Sequence, residues 1–242
     1  MRSVRRRPLL GTVVLSILAT IVGIAICLQI DWFPTPASTA ATDIDLLYDV
    51  LLIVSVPIFV LVMAVVFYSV VAFKAQPGDL SDGAPVHGNT RLEVIWVTIP
   101  FIIVSALAAY GWVVLDDIEA KEPNTLVVNV TGQQFAWRFD YPRDGKVRTN
   151  QLVLPNGRPV QFRVKTDDVI HDFWVPQFRL KTDAVPGLTT EIRTTPNRNG
   201  TYQVVCAELC GIGHSTMRQQ VRVVPERAFD AWIAKKRGGA EE

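Results

Sequence analysis

The sequence predicts a membrane-anchored α + β chain: transmembrane helices in the N-terminal half, then an extracytoplasmic β-sandwich or barrel. Three observations predict it. Long apolar runs occupy residues 8–30, 46–73 and 94–115, each near or above the ~20 residues that cross a bilayer. From Glu122 onward the texture changes to short runs rich in β-branched and aromatic residues, separated by turn residues. Near the end, Cys206-Ala-Glu-Leu-Cys210-Gly-Ile-Gly-His214-Ser-Thr-Met217 gathers two thiols, an imidazole and a thioether.

Composition agrees with the class. Of 242 residues, 49% are hydrophobic and the net charge is +1, too apolar for an ordinary soluble protein and without the basic surplus that nucleic acid would require. Mean hydropathy is positive. There is no repeat period, no Gly-rich phosphate loop and no long low-complexity tract.

The N-terminal run follows Arg2, Arg5, Arg6 and Arg7 and reads as a signal peptide or a span. Its length exceeds the ~7–15 residues of a secretory core and favours a retained span. The small-residue site Ser38-Thr39-Ala40 lies far downstream, and a lipoprotein reading of Cys27 meets the bulky Ile24 and Ile26. Residues 31–43 form a polar linker with Pro34 and Pro36 and no Lys or Arg. The two further runs read as transmembrane helices joined by a turn-rich loop with Pro77-Gly78 and Asp82-Gly83. A buried helix of a soluble core is a poor alternative in so short a chain.

The arginine cluster stays inside, because the 31–45 segment carries only the acids Asp31, Asp43 and Asp45. The loop with Lys74 and Arg91 is then cytoplasmic and everything after Asp116 lies outside, whether or not the first run is cleaved. The expected location is the plasma membrane, multi-pass.

Strands are expected at 125–130, 134–141, 160–165, 191–195, 201–205 and 219–224. Pro142, Asp144-Gly145, Asn156-Gly157, Pro186-Gly187 and Asn199-Gly200 punctuate them. An amphipathic helix over 226–236, with Phe229 and Trp232 on its apolar face, closes the chain. The expected organisation is a hydrophobic segment and linker at 1–43, a two-helix hairpin at 44–115, the β domain at 116–225, and a terminal helix and tail at 226–242.

The thiol-rich stretch reads as a copper site with ligands in loops at one end of the β domain. Thiolate and thioether sulfur are soft donors and imidazole is borderline, a set that suits copper, whereas zinc would ordinarily finish its tetrahedron with another Cys or His. Gly211 and Gly213 oppose a regular helix and let the loop curl. His171, in Asp-Asp-Val-Ile-His171-Asp-Phe-Trp-Val-Pro, is the further ligand candidate, on a neighbouring segment. A disulfide between the cysteines competes, though it leaves His214 and Met217 without a role. Haem attachment does not fit, since its signature puts two residues between the cysteines and His directly after.

The pattern Cys-x-Glu-x-Cys-Gly-x-x-His-x-x-Met, preceded by a His, resembles the dinuclear copper (CuA) motif of cytochrome c oxidase subunit II, and the likeness extends over about 44–235. The resemblance implies a cupredoxin-like Greek-key domain and two copper ions. In it Cys206 and Cys210 bridge the metals, His171 and His214 cap them, and Met217 and the Glu208 backbone carbonyl are weak axial ligands. It also implies a magnesium ion shared by the Glu208 carboxylate with subunit I, partner subunits I and III, and a cytochrome c donor. Leu92-Glu93-Val-Ile-Trp96-Val-Thr-Ile-Pro100 resembles the start of the family's second helix, where Glu93 would stand at the mouth of a proton path; from the residues alone Glu93 is an interfacial carboxylate. Leu180-Lys-Thr-Asp183-Ala-Val-Pro186-Gly187 resembles a segment packed on subunit I.

The resemblance further implies that electrons pass from cytochrome c to haem in subunit I, where oxygen is reduced and protons are pumped. With three histidines, this chain holds no haem-copper ligand set of its own. A membrane-tethered copper-binding or copper-delivery module is the alternative, and a scaffold of quinol-oxidase type is disfavoured because all six ligand positions are filled. One departure concerns the donor. The family's exposed Trp is replaced in Gly132-Gln-Gln134-Phe135-Ala136-Trp137, leaving Phe135 and Trp137 as candidate electron-accepting aromatics, and Arg138, Arg143, Lys146 and Arg148 follow. A membrane-anchored or complex-bound cytochrome, or one with an acidic face, is expected.

Overall fold

The computed structural model describes residues 6–74, 78, 82, 85, 87–144 and 146–238. Arg2 and Arg5, the turn residues Pro77, Gly83 and Gly145, and residues 239–242 lie outside the described residues. Among the described residues, three helices are long and apolar enough to cross a membrane: α1 (Arg6–Cys27), α2 (Thr39–Ala72) and α3 (Thr90–Glu119). Both α2 and α3 begin before their apolar runs, because polar caps start them. Ser38 Oγ accepts the Ala41 N–H at 3.1 Å. Asn89 Oδ1 accepts the N–H groups of Arg91 and Leu92, while Glu93 Oε1 accepts the Asn89 N–H at 3.1 Å, a reciprocal cap that satisfies donors the helix leaves unpaired.

Two compact units divide the chain: one comprises the residues up to Asp31 with Leu46–Trp112, the other Trp32–Asp45 with everything from Val113. The second unit is a β-sandwich of ten strands: β1 (Leu126–Gln133), β2 (Ala136–Tyr141), β3 (Val147–Thr149), β4 (Leu152–Pro155), β5 (Val160–Thr166), β6 (His171–Val175), β7 (Leu180–Ala184), β8 (Thr190–Thr194), β9 (Gly200–Cys206) and β10 (Arg218–Val224). One sheet runs β3-β2-β1-β5-β8 and the other β4-β10-β9-β6-β7. Within each sheet one pair is parallel, β1 with β5 and β10 with β4, because the chain crosses between sheets rather than meandering.

Alternation along the strands fills the space between the sheets. Phe162 and Val164 of β5, and Trp137, Phe139 and Tyr141 of β2, are buried while their neighbours face outward. Phe173 lies at the centre, with ring centroids 5.2 Å from Phe162 and 5.5 Å from Trp137. Tyr141 hydroxyl donates to the Val153 carbonyl and accepts its N–H, each at 2.9 Å, tying β2 to β4. The terminal helix α4 (Glu226–Gly238) seats Phe229 and Ile233 against this core, with Trp232 5.5 Å from Tyr141.

Residues 37–41, polar and linker-like by composition, pack into the β-sandwich instead: Ala37, Ser38, Ala40 and Ala41 are buried. Backbone bonds join Ala37 to Gln177 and Asn197, and Thr39 to Thr195. Arg179 holds the same stretch. Its guanidinium, 6% exposed, bonds both Asp45 carboxylate oxygens at 2.7 and 2.8 Å and the Pro34 carbonyl at 2.8 Å, and lies 4.8 Å over the Phe33 ring.

Candidate metal centre

The long loop between β9 and β10 carries most of the donors. Antiparallel pairing of Val205 with Arg218 and a bond from Cys206 N–H to the Met217 carbonyl (3.1 Å) close its base. Cys206 therefore ends a strand and is fixed by sheet geometry, whereas Cys210 and His214 sit on the loop itself, which finishes in a 3₁₀ turn over His214–Thr216. His171 opens β6, whose Phe173 pairs with Cys206. This corrects the expectation that the ligands lie in loops: His171 and Cys206 belong to strands.

Six expected residues converge. Cys206 Sγ is 3.8 Å from Cys210 Sγ, 3.8 Å from His171 Nδ1 and 3.3 Å from the Glu208 carbonyl oxygen. Cys210 Sγ is 3.6 Å from His214 Nδ1 and 3.8 Å from Met217 Sδ. His171, Cys206, Cys210 and Met217 are buried. Burial and the neighbouring Cys206 sulfur push the Cys210 thiol up to about 11. The Cys210 thiol, held beside a second sulfur out of water, thus resists ionisation alone, and a cation bound there reverses that preference. Together with the soft donors, this fits copper.

Asp168 was not singled out by the sequence reading, although a carboxylate three residues before a candidate imidazole is a usable signal. Its Oδ1 is 2.8 Å from His171 Nε2 and accepts the Thr166 hydroxyl and the Val169 N–H, while Oδ2 accepts the Gln134 N–H at 2.7 Å. Burial raises this carboxyl, but the bonds from Gln134, His171, Val169 and Thr166 outweigh it and bring it to about 2. An ionised acceptor at Nε2 keeps the proton there and leaves Nδ1 bare toward the sulfurs. Glycine at 132 is what admits the two rings, because a Cβ there would lie 3.0 Å from His171 Cδ2 and 3.1 Å from Trp137 Cζ3.

The candidate aromatics differ. Trp137 is 1% exposed and packs edge-on at 5.9 Å from the His171 ring. Phe135 is 38% exposed and lies on the ligand loop, where a Cβ at Gly213 would overlap its ring. Two of the four basic residues carry carboxylate partners: Arg138 pairs with Asp167 at 3.2 Å and Arg148 with Asp140 at 2.8 Å. The positive patch read from sequence is therefore weaker than its four charges suggest.

Asp172, beside His171, faces the opposite side of β6. Its register partner is Asp183 of β7, and its Oδ1 is buried with no hydrogen bond among the described residues. Burial, then the Asp183 carboxyl, push it up to about 6 against the pull of Lys181, with Glu208 adding to the rise. Glu93 lies in the first turn of α3, bonded to Asn89 as described.

Fold and donor set define a membrane-anchored, cupredoxin-like protein with a cluster of soft donors suited to a metal. The chain matches the transmembrane domain of cytochrome c oxidase subunit II over residues 25–114 and its periplasmic domain over residues 146–224. Cytochrome c oxidase subunit 2 of Thermostichus vulcanus is 35% identical over 254 residues, covering 82% of this chain and 76% of the relative. That of Synechocystis sp. is 29% identical over 273 residues, covering 90% and 82%. The solved periplasmic domain of subunit II of cytochrome oxidase of Bradyrhizobium japonicum has 29% identity and a TM-score of 0.47, covering 50% of this chain and 97% of that one. The chain belongs to the cytochrome c oxidase subunit II family, and with it to an oxidoreductase complex. Membership implies a copper centre and other subunits.

Proposed function

We propose that this chain is the electron-input subunit of an aerobic terminal oxidase in the plasma membrane. It takes electrons from a cytochrome c outside and passes them to haem in subunit I, where oxygen reduction drives proton pumping. The observation that carries this reading is the convergence of two sulfurs, each paired with an imidazole Nδ1 at 3.8 and 3.6 Å, around a shared Sγ–Sγ contact.

In it, Cys206, Cys210, His171, His214, Met217 and the Glu208 carbonyl would be the donors that hold two copper ions. When bound, the copper would supply one-electron redox chemistry. The chain's residues make that chemistry fast by refusing to move. Cys206 is fixed by its strand, His171 by Asp168 and the edge-on Trp137 ring, and Met217 by complete burial. Donors that keep one arrangement in both redox states leave little to reorganise. Phe135, exposed against the loop, is the proposed electron-accepting surface, with Trp137 buried behind it. The Glu208 carboxylate would share magnesium with subunit I, an oxygen-rich site that needs ligands from that partner. Subunit III is a further proposed partner, and Glu93 the proposed mouth of a proton path.

A copper-delivery module needs donors that exchange readily, whereas four of these six are buried. The test is metal and haem analysis of the purified oxidase complex. Two coppers assigned to this chain with a mixed-valence spectrum are expected, and Cys206→Ser or Cys210→Ser should abolish the spectrum and oxidase activity. One zinc and no copper in the native protein would overturn the reading.

A further inference from the structure

The turn between β1 and β2 consists of Gln134 and Phe135, and it reaches both halves of the donor set. Gln134 N–H donates to Asp168 Oδ2 at 2.7 Å, the carboxylate that holds His171 through its other oxygen. Gln134 Nε2 donates to the Cys210 carbonyl at 2.6 Å. That carbonyl precedes Gly211, whose φ of 130° only glycine adopts without strain. A Cβ at Gly211 would lie 2.9 Å from Gln134 Nε2 and 3.2 Å from Phe135 Cζ. The loop backbone and the turn are thus in direct contact, and the peptide that orients Cys210 has its oxygen fixed by this one amide.

We propose that Gln134 is a positioning residue that locks the Cys210 thiolate and the His171 imidazole into one mutual geometry, so that the donor set is preorganised for its metals. The inference rests on the copper reading above and deepens it. Gln134 touches no metal; it acts through the Cys210 peptide on one side and Asp168 on the other. Its side chain is suited to the Cys210 contact because the amide is a neutral donor of the needed reach, while its backbone N–H holds Asp168 in every variant. A carboxylate of the same shape would present acceptors to an acceptor, and a thioether of similar length would present no donor. The neighbouring ring fits the loop closely, since Phe135 packs against Gly211 and Gly213, where an added Cβ would meet its ring.

The experiment compares Gln134→Glu and Gln134→Met with the native chain in the purified oxidase complex. Gln134 is exposed, so both variants leave the core unchanged. Two quantities are read: the rate of copper loss to an added chelator, and the electron paramagnetic resonance and visible spectra of the copper-loaded complex. Both variants should start with native copper content, lose copper about two- to tenfold faster, as loss of one hydrogen bond of about 0.5–1.5 kcal/mol predicts, and show altered hyperfine structure from a reoriented thiolate. Native loss rates with unaltered spectra in both variants overturn the positioning role. A native complex with no copper at all overturns the copper reading and this inference with it, a result that the untreated sample reveals before any variant is compared.

Discussion

Asp168 stands directly behind His171, its Oδ1 2.8 Å from the imidazole Nε2, while the other imidazole nitrogen faces the Cys206 sulfur at 3.8 Å. A single side chain therefore fixes the tautomer, the ring orientation and the electron richness of one proposed ligand. His214 sits on the more exposed loop, so the two imidazoles meet different surroundings.

Removing the Asp168 charge tests that relationship. Asp168→Asn keeps an acceptor for Nε2–H but no longer offers an anion, so the oxidised centre loses stabilisation and the midpoint potential rises. Copper affinity should fall about 10- to 100-fold, the usual effect of losing a residue that orients a ligand. Redox titration and chelator competition on the purified complex check both, and an unchanged potential would contradict the assignment.

What the sequence made legible follows from where chemistry is local. The sulfur and imidazole spacing lies on one hairpin loop, and three apolar runs announce three helices, so both could be read directly. β3 and β4 are three and four residues long, too short for an alternating pattern, and β7, Leu-Lys-Thr-Asp-Ala, looks polar because only its ends are buried. Gln134 and Asp168 meet only because β1 and β5 pair in parallel, with Gly132 opposite Thr166. No spacing rule in one dimension reports such a contact. Likewise Ala37 and Ala41 are buried where their stretch meets residues far along the chain, with Ala37 N–H bonded to the Gln177 carbonyl and the Ser38 hydroxyl to that of Phe178.

Arg179 gives the next prediction. Its guanidinium is nearly buried and doubly bonded to Asp45, which retains some exposure. Arg179→Ala strands that carboxylate and frees the Pro34 carbonyl, at a cost of about 3 kcal/mol, the low end for breaking a buried pair. Arg179→Lys keeps the charge but not the fork and should fall between. Thermal unfolding of the purified protein should show the order native, Lys, Ala. Equal midpoints would show that the 32–45 stretch is held by its backbone bonds alone.

Glu93 carries two proposed roles that one substitution separates. As a cap, its Oε1 accepts the Asn89 N–H, and glutamine can accept the same bond; as a proton relay, only the carboxylate serves. Glu93→Gln should therefore slow oxidase turnover while copper content and stability stay native. Glu93→Ala should also lose about 1 kcal/mol of helix stability, the usual value of a cap. Full turnover by Glu93→Gln in a steady-state assay would leave capping as its whole function.

The donor prediction follows from charge along β2, the strand that Phe135 precedes, and along the turn after it and β3. A basic soluble cytochrome c is drawn in quickly where acids are in excess, and the rate then falls steeply with salt because screening shortens the reach of the field to about 10 Å at 0.1 M. Here Arg138 and Arg148 are matched by Asp167 and Asp140, and Arg143 and Lys146 add positive charge. Among these four basic residues and their two carboxylate partners positive charge exceeds negative, which does not draw in a basic protein, and Phe135 offers a smaller, less polar contact than an indole. A donor fixed to the membrane or to the complex does not depend on steering, since tethering supplies the local concentration that long-range attraction would otherwise provide. Turnover with a basic soluble cytochrome c should be slow, and shallow or rising in its response as salt increases. A fast rate that drops steeply over the same range would show attractive steering and remove the case for a tethered donor.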